Sequence, residues 1–231
     1  MGERCDFLRH RIGFNPVSYM SQKPFVVAIT GASGSLYGLR FVRAITELGH
    51  PIALTISEAA RIVMHEELGI EMDLKDPVFL SKLFPPESLP LISYYHYSDL
   101  TAPVASGSYP TRGMIVIPAS TTCFSKIAAG ISDTLIERAA ECTIKEGRRL
   151  VLVPRETPLS ALHLEHLLKL ARIGVRIVPA IPGFYSGAQK VEELVDFVVG
   201  KALDQFEIEH MLYARWTGSQ VKGRKWTESL K

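Results

Sequence analysis

Residues 30–38 read T-G-A-S-G-S-L-Y-G and follow directly on the apolar run F-V-V-A-I at 25–29. A β-branched run that breaks into glycines and then into helical periodicity is a strand-to-helix turn, the opening unit of an α/β sheet. Gly31 and Gly34 have no Cβ and accept positive φ, so the backbone there can approach an anion closely. The first amides of the following helix add donors and a partial positive charge. By itself the loop leaves two readings open. One is a phosphate cradle of the kind shared by many nucleotide and flavin binders; the other is a tight turn without a ligand.

Outward from this loop the chain alternates. The pattern predicts a helix over 36–48 stopped at Gly49, a strand over 52–56, and a helix over 58–68 behind Ser57. Residues 69–110 are irregular, with Pro77, Pro85, Pro86, Pro90 and Pro103 and the segment A-S-G-S at 105–108. Beyond them come a strand over 114–117 closed by Pro118, helical segments over 125–129 and 133–147, and a strand over 150–153 closed by Pro154. A helix over 162–173, a strand over 175–178 ended by Pro179, and a long helix over 191–206 complete the series. Such alternation predicts one α/β domain over 24–217, a Rossmann-like (flavodoxin-like) three-layer sandwich with a mostly parallel sheet. Residues 1–23 are expected to form a disordered extension and 218–231 a polar, basic tail.

Composition narrows the function classes. The 231 residues are 47% hydrophobic, enough for one substantial core. With 26 basic and 24 acidic residues the net charge is +2, and no basic stripe exists to hold nucleic acid. Cys5, Cys123 and Cys142 are odd in number and lack C-x-x-C spacing, which argues against a disulfide framework or zinc site and for a reducing cytoplasm. The seven histidines show no metal pattern, and no apolar run is long enough for a membrane span.

In a parallel sheet ligands bind beyond the carboxyl ends of the strands, so the residues just after each strand carry the information. These are Ser33 and Ser35, then Ser57, then P-A-S-T-T-C-F-S at 118–125, P-R-E-T-P at 154–158 and P-A-I-P-G-F-Y at 179–185. The serines and threonines suit either a ligand or ordinary helix caps. Arg155 and Glu156, a cation and a carboxylate between two prolines, point more strongly to a ligand site. Arg138 and Lys145 share a helix face and could meet one anion, although Glu141 could equally pair with Lys145 four residues on.

The blocks T-G-A-S-G-S-L-Y-G, A-S-G-S, I-P-A-S-T, L-I-E-R-A-A-E-C-T-I-K-E, L-V-L-V-P-R-E-T-P-L-S, H-L-E-H-L-L-K-L, P-G-F-Y and D-F-V-V-G-K resemble the flavin prenyltransferases of the UbiX type, over about residues 24–217. An older label for that family is aromatic acid decarboxylase. V-P-R-E-T-P with the downstream tyrosine and basic residue is the specific part. The resemblance implies transfer of a dimethylallyl unit from dimethylallyl monophosphate to N5 and C6 of reduced FMN, without a metal; the absence of an aspartate-rich magnesium motif agrees. It implies an FMN-binding set of Gly31, Ala32, Ser33, Ser57, Ser120, Thr121, Thr122, Cys123 and Arg155. It further implies a prenyl-phosphate cradle of Lys145, Arg155, Tyr185, Lys201 and Arg138, with Glu156, Ser33 and Lys145 as catalytic groups.

The family assembles as a large homo-oligomer, commonly a dodecamer, with sites between subunits, and its product serves a UbiD-type decarboxylase. Cys123 stands where the family commonly has threonine or serine, and Lys201, a point charge, stands where arginine is also seen. Arg215–Trp216 would pack near the site or at a subunit contact. Three other readings remain: a flavin-dependent cysteine decarboxylase, whose histidine and asparagine-methionine loop are not found; a short-chain dehydrogenase, whose Y-x-x-x-K is matched clearly only at Tyr19 to Lys23, before the first strand; and a non-catalytic FMN carrier. The carrier has no need of Arg155, Glu156, Tyr185 and Lys201 together.

Overall fold

In the computed structural model, which describes residues 23–216 and Gly218, every strand runs parallel to its neighbours. The expected extension at 1–23 lies outside the described residues except for Lys23, and the expected tail at 218–231 does so except for Gly218. The elements are β1 (Phe25–Ile29), α1 (Ser35–Glu47), β2 (Ile52–Ile56), α2 (Glu58–Leu68), the short α3 (Leu80–Leu83), β3 (Ile92–Tyr94), β4 (Gly113–Ala119), α4 (Thr121–Ala129), α5 (Leu135–Lys145), β5 (Leu150–Pro154), α6 (Ala161–Arg172), β6 (Arg176–Ile177) and α7 (Val191–Asp204). The sheet order is β3-β2-β1-β4-β5-β6. Without the edge strand β3 this is the flavodoxin order, and β1 lies at the switch point, flanked by β2 and β4.

The sheet is buried on both sides, which is why its strands read as continuous apolar runs. Phe25, Val27, Ile29, Ile115, Ile117, Val151 and Val153 face a core shared with α1, α2 and α7. Their alternates Val26, Ala28, Met114, Val116, Leu150 and Leu152 face a second core with α4, α5 and α6. Each fully buried aliphatic side chain contributes about 1.5–3 kcal/mol, so these two layers hold the strand ends in place. Gly38 on α1 lets the helix approach β4, since a Cβ there would lie 2.5 Å from the Ile117 carbonyl oxygen.

Several expectations change. The 69–110 stretch contains β3, pairing Ile92, Ser93 and Tyr94 with Ile52, Ala53 and Leu54. β4 continues through Pro118 to Ala119, and its register with β5 shifts between Val116 and Ala119, where proline has no N–H to give the ladder. α4 begins at Thr121, four residues earlier than expected, because the Ser120 hydroxyl caps it by accepting from the Cys123 amide at 3.3 Å. α5 begins after a Thr134 cap and stops at Lys145, β6 keeps only two residues, and α7 ends at Asp204.

Candidate functional site

The carboxyl ends of β1, β2, β4 and β5 meet around the glycine loop. Thr30 ties two of them: its Oγ1 donates to the Pro118 carbonyl at 2.7 Å and accepts from the Ser120 amide at 2.8 Å. The Ser57 amide donates to the Ile29 carbonyl at 3.0 Å, and the Ser57 hydroxyl caps α2 by accepting from the Ala60 amide at 3.0 Å. Gly34 is the cap of α1 at φ 100°, as the loop reading requires. Gly31 is needed for a different reason: a Cβ there would fall on Ala59 at the start of α2.

The amides of Gly34 and Ser35 bind an anion, the Glu67 carboxylate from the last turn of α2, at 2.9–3.1 Å. Burial alone would raise the Glu67 carboxyl; the Ser33 side chain and the two amides overcome that, and its pKa lies below the usual glutamate value. The loop therefore has the donor geometry of a phosphate cradle, occupied from within the chain. From the end of β5 the Arg155 guanidinium reaches the loop and donates from Nε to the Ser33 carbonyl at 2.9 Å. Glu156 does not pair with Arg155; its Oε1 accepts from the Thr157 amide at 3.0 Å. Cys123 is buried in the first turn of α4, and burial pushes its thiol up. Thr121 and Thr122 precede it, the latter exposed.

The remaining basic residues lie elsewhere on the chain. Arg138 on α5 donates from Nε to the Ala105 carbonyl at 3.0 Å and from Nη1 to Glu141 at 2.9 Å. Lys145 binds Glu146 at 2.6 Å, so the Glu141–Lys145 pair foreseen as an alternative does not form. The A-S-G-S segment runs beside them, its Gly107 carbonyl held by Arg148 at 2.7 Å, and a Cβ on Gly107 would fall on Lys145 and Glu146. Tyr185 stands in the loop after β6, its ring edge-on to Phe197 and Trp216 at 5.6 and 6.1 Å. Lys201 lies in the last turn of α7, 3.8 Å from Asp204. Among the described residues no hydrogen bond or ion pair joins Arg138, Lys145, Tyr185 or Lys201 to Arg155, nor does any group of three or more His, Cys, Asp or Glu side chains form a metal cluster.

The flavoprotein family model matches residues 15–203. A flavin prenyltransferase UbiX of Halalkalibacterium halodurans is 50% identical over 192 residues, covering 83% of this chain and 92% of that protein. The chain belongs to the UbiX flavin prenyltransferases. Its fold matches a crystal structure of AnUbiX (PadA1) in complex with FMN and dimethylallyl pyrophosphate, with a TM-score of 0.77, 36% identity, and coverage of 86% of this chain and 100% of that one. It also matches a dodecameric FMN-dependent UbiX-like decarboxylase from Escherichia coli O157:H7, with a TM-score of 0.75, 38% identity, and coverage of 84% and 100%.

Three residues that hold these elements together escape a reading of the sequence. Glu67 sits ten positions after Ser57 with no motif around it, and only the docking of α2 against the loop reveals it. Thr30 had a signal, a hydroxyl between the strand and the first glycine, but the strand-end tie needs the sheet order to be known. Asp204 gathers three donors from a segment that carries no recognisable pattern.

Proposed function

We propose that this chain joins a dimethylallyl unit from dimethylallyl monophosphate to N5 and C6 of reduced FMN, giving a prenylated flavin for a UbiD-type decarboxylase. The observation that carries the reading is the contact of Arg155, from the V-P-R-E-T-P block, with Ser33 of the glycine loop: the family's specific motif closes on its generic one. Bound FMN supplies the nucleophilic ring atoms. Gly31, Ala32 and Ser33 with Ser57, the run Ser120, Thr121, Thr122 and Cys123, and Arg155 hold it at the switch point, where loop amides already bind a carboxylate. Arg155 offers a permanently charged fork for an oxyanion.

Departure of phosphate from an allylic carbon builds charge on both fragments, and fixed cations stabilise the leaving group. Arg155, Tyr185, Lys201, Lys145 and Arg138 supply that field. Glu156 keeps Oε1 on the Thr157 amide and leaves Oε2 to take a proton from the flavin ring, with the Ser33 hydroxyl assisting. The basic residues lie in separate clusters on one chain, which supports a homo-oligomer, a dodecamer, whose subunits complete one another's sites. Cys123 and Cys142 are free and buried, in keeping with the cytoplasm. Among the described residues no helix is long and apolar enough to cross a membrane.

The test is anaerobic incubation with reduced FMN and either dimethylallyl monophosphate or the diphosphate. The expected result is a flavin heavier by one five-carbon unit, formed faster from the monophosphate. No mass gain from either donor overturns the transferase; faster transfer from the diphosphate overturns the choice of donor.

A further inference from the structure

After α7 the chain turns back along the helix, and its polar anchor is Asp204. The Asp204 carboxylate accepts from Tyr213 Oη at 2.7 Å, from Arg215 Nη2 at 2.7 Å and from His210 Nε2 at 3.1 Å. His210 Nδ1 accepts from the Leu212 amide at 3.2 Å, which leaves Nε2 of the buried ring as the donor to Asp204. The returning segment presses on the helix backbone: a Cβ on Gly200 would come within 2.6 Å of both His210 and the Tyr213 ring. Burial works against ionisation of Asp204, yet Arg215, Tyr213 and His210 draw its carboxyl down to about 2.

This segment backs the two residues assigned above to the donor phosphate. The Lys201 ammonium lies 5.9 Å from the centre of the Tyr213 ring and 3.8 Å from Asp204. The Tyr213 ring packs on Phe197 at 5.1 Å, Phe197 on Tyr185 at 5.6 Å, and Tyr185 on Trp216, the residue after Arg215, at 6.1 Å. Tyr185 itself is half exposed and its side chain makes no hydrogen bond among the described residues, so its ring is fixed by these aromatic neighbours. One carboxylate thus clamps both ends of the arrangement: Lys201 through their direct ion pair, and Tyr185 through Tyr213–Phe197 on one side and Arg215–Trp216 on the other.

We infer that Asp204 is a positioning residue for donor binding: by stapling residues 210–216 onto α7 it sets Tyr185 and Lys201 in the geometry that receives the allylic phosphate. The inference rests on the assignment of Tyr185 and Lys201 to that phosphate. It separates the donor half of the site from the flavin half, because none of the bonds of Asp204 reaches the glycine loop.

The experiment uses the full chain with Trp226→Phe, so that Trp216 is the only tryptophan, and compares Asp204 with Asp204→Asn and Asp204→Glu. Dimethylallyl monophosphate is titrated by quenching of Trp216 emission, and turnover is measured separately. For D204N a red-shifted Trp216 emission, donor affinity and KM weaker by about tenfold, kcat within about threefold and FMN affinity within about twofold are expected. D204E regains most of the donor affinity. Donor affinity unchanged in D204N, or FMN affinity falling in step with it, overturns the inference. A wild-type chain that binds the donor without transferring it defeats the transferase reading and leaves Asp204 to be judged on donor affinity; one that neither binds nor transfers defeats both.

Discussion

Around the glycine loop, four strand ends are held by bonds to backbone groups within a single chain, whereas Arg138, Lys145, Tyr185 and Lys201 stand on two helices and a loop with no hydrogen bond or ion pair between the three groups among the described residues. In the first region Thr30, Ser57, Ser120 and Arg155 are fixed by backbone partners, and Glu67 satisfies the helix amides. In the second, Arg138 also has one backbone partner, the Ala105 carbonyl, but its other bond and that of Lys145 go to exposed carboxylates of their own helix or the residue just after it, Glu141 and Glu146, and such pairs hold a side chain in place only weakly. On the proposed assignment, the flavin half is preorganised by the fold, and the phosphate half is completed by assembly.

Substitutions sharpen this contrast in descending order of effect. Glu156→Gln should lower prenyl transfer by about a hundredfold or more while FMN affinity holds, since a positioned acid–base group contributes that much; single-turnover flavin spectra check it. Arg155→Ala breaks the first region at its cation, and FMN affinity by fluorescence titration should fall about tenfold or more. Lys145→Met acts on the second region: donor KM should rise about tenfold with FMN affinity unchanged. Equal losses of FMN affinity in the Arg155 and Lys145 variants would erase the distinction between the halves.

The smallest effect is on stability. Glu67→Gln removes the charge from the loop cradle and should cost about 1 kcal/mol, or roughly 2–4 °C in Tm. Its pH dependence gives the sign. The folded pKa of Glu67 is depressed, so its contribution is present above the ordinary glutamate pKa and is lost as the pH falls through the folded value. The Tm difference between the wild-type chain and the Glu67→Gln variant should therefore shrink below about pH 4.

The elements that carried the fold in sequence were those with long apolar runs or a clear glycine stop. β1, β2 and α2 stand at the predicted residues because Phe25–Ile29 is a continuous apolar strand, Ile52–Ile56 is apolar but for Thr55, and Gly69 ends α2 in the left-handed conformation. β3 was hidden because it has three residues among prolines and gains its identity only by pairing with β2. Pro118 read as a strand end because its lost donor is compensated by a register shift that no local pattern announces. For the candidate site, the gathering of the residues just after the strands was legible, since the parallel sheet sends them all to one edge. Glu67 and Asp204 were not, because each acts across elements far apart in sequence, α2 on the glycine loop and α7 on the C-terminal segment. Ser57 and Ser120 were ambiguous and serve as caps in the structure, a role compatible with holding a ligand from the same position.

The most direct test of a site finished by assembly is complementation. Chains carrying Arg155→Ala and chains carrying Lys145→Met are unfolded together, refolded as a mixture and assayed for prenyl transfer to reduced FMN. If one subunit gives Arg155 and its neighbour gives Lys145, mixed assemblies contain intact sites and transfer well above either parent alone. Mixed assemblies no more active than the parents would contradict it and return Lys145 to the chain that carries the flavin.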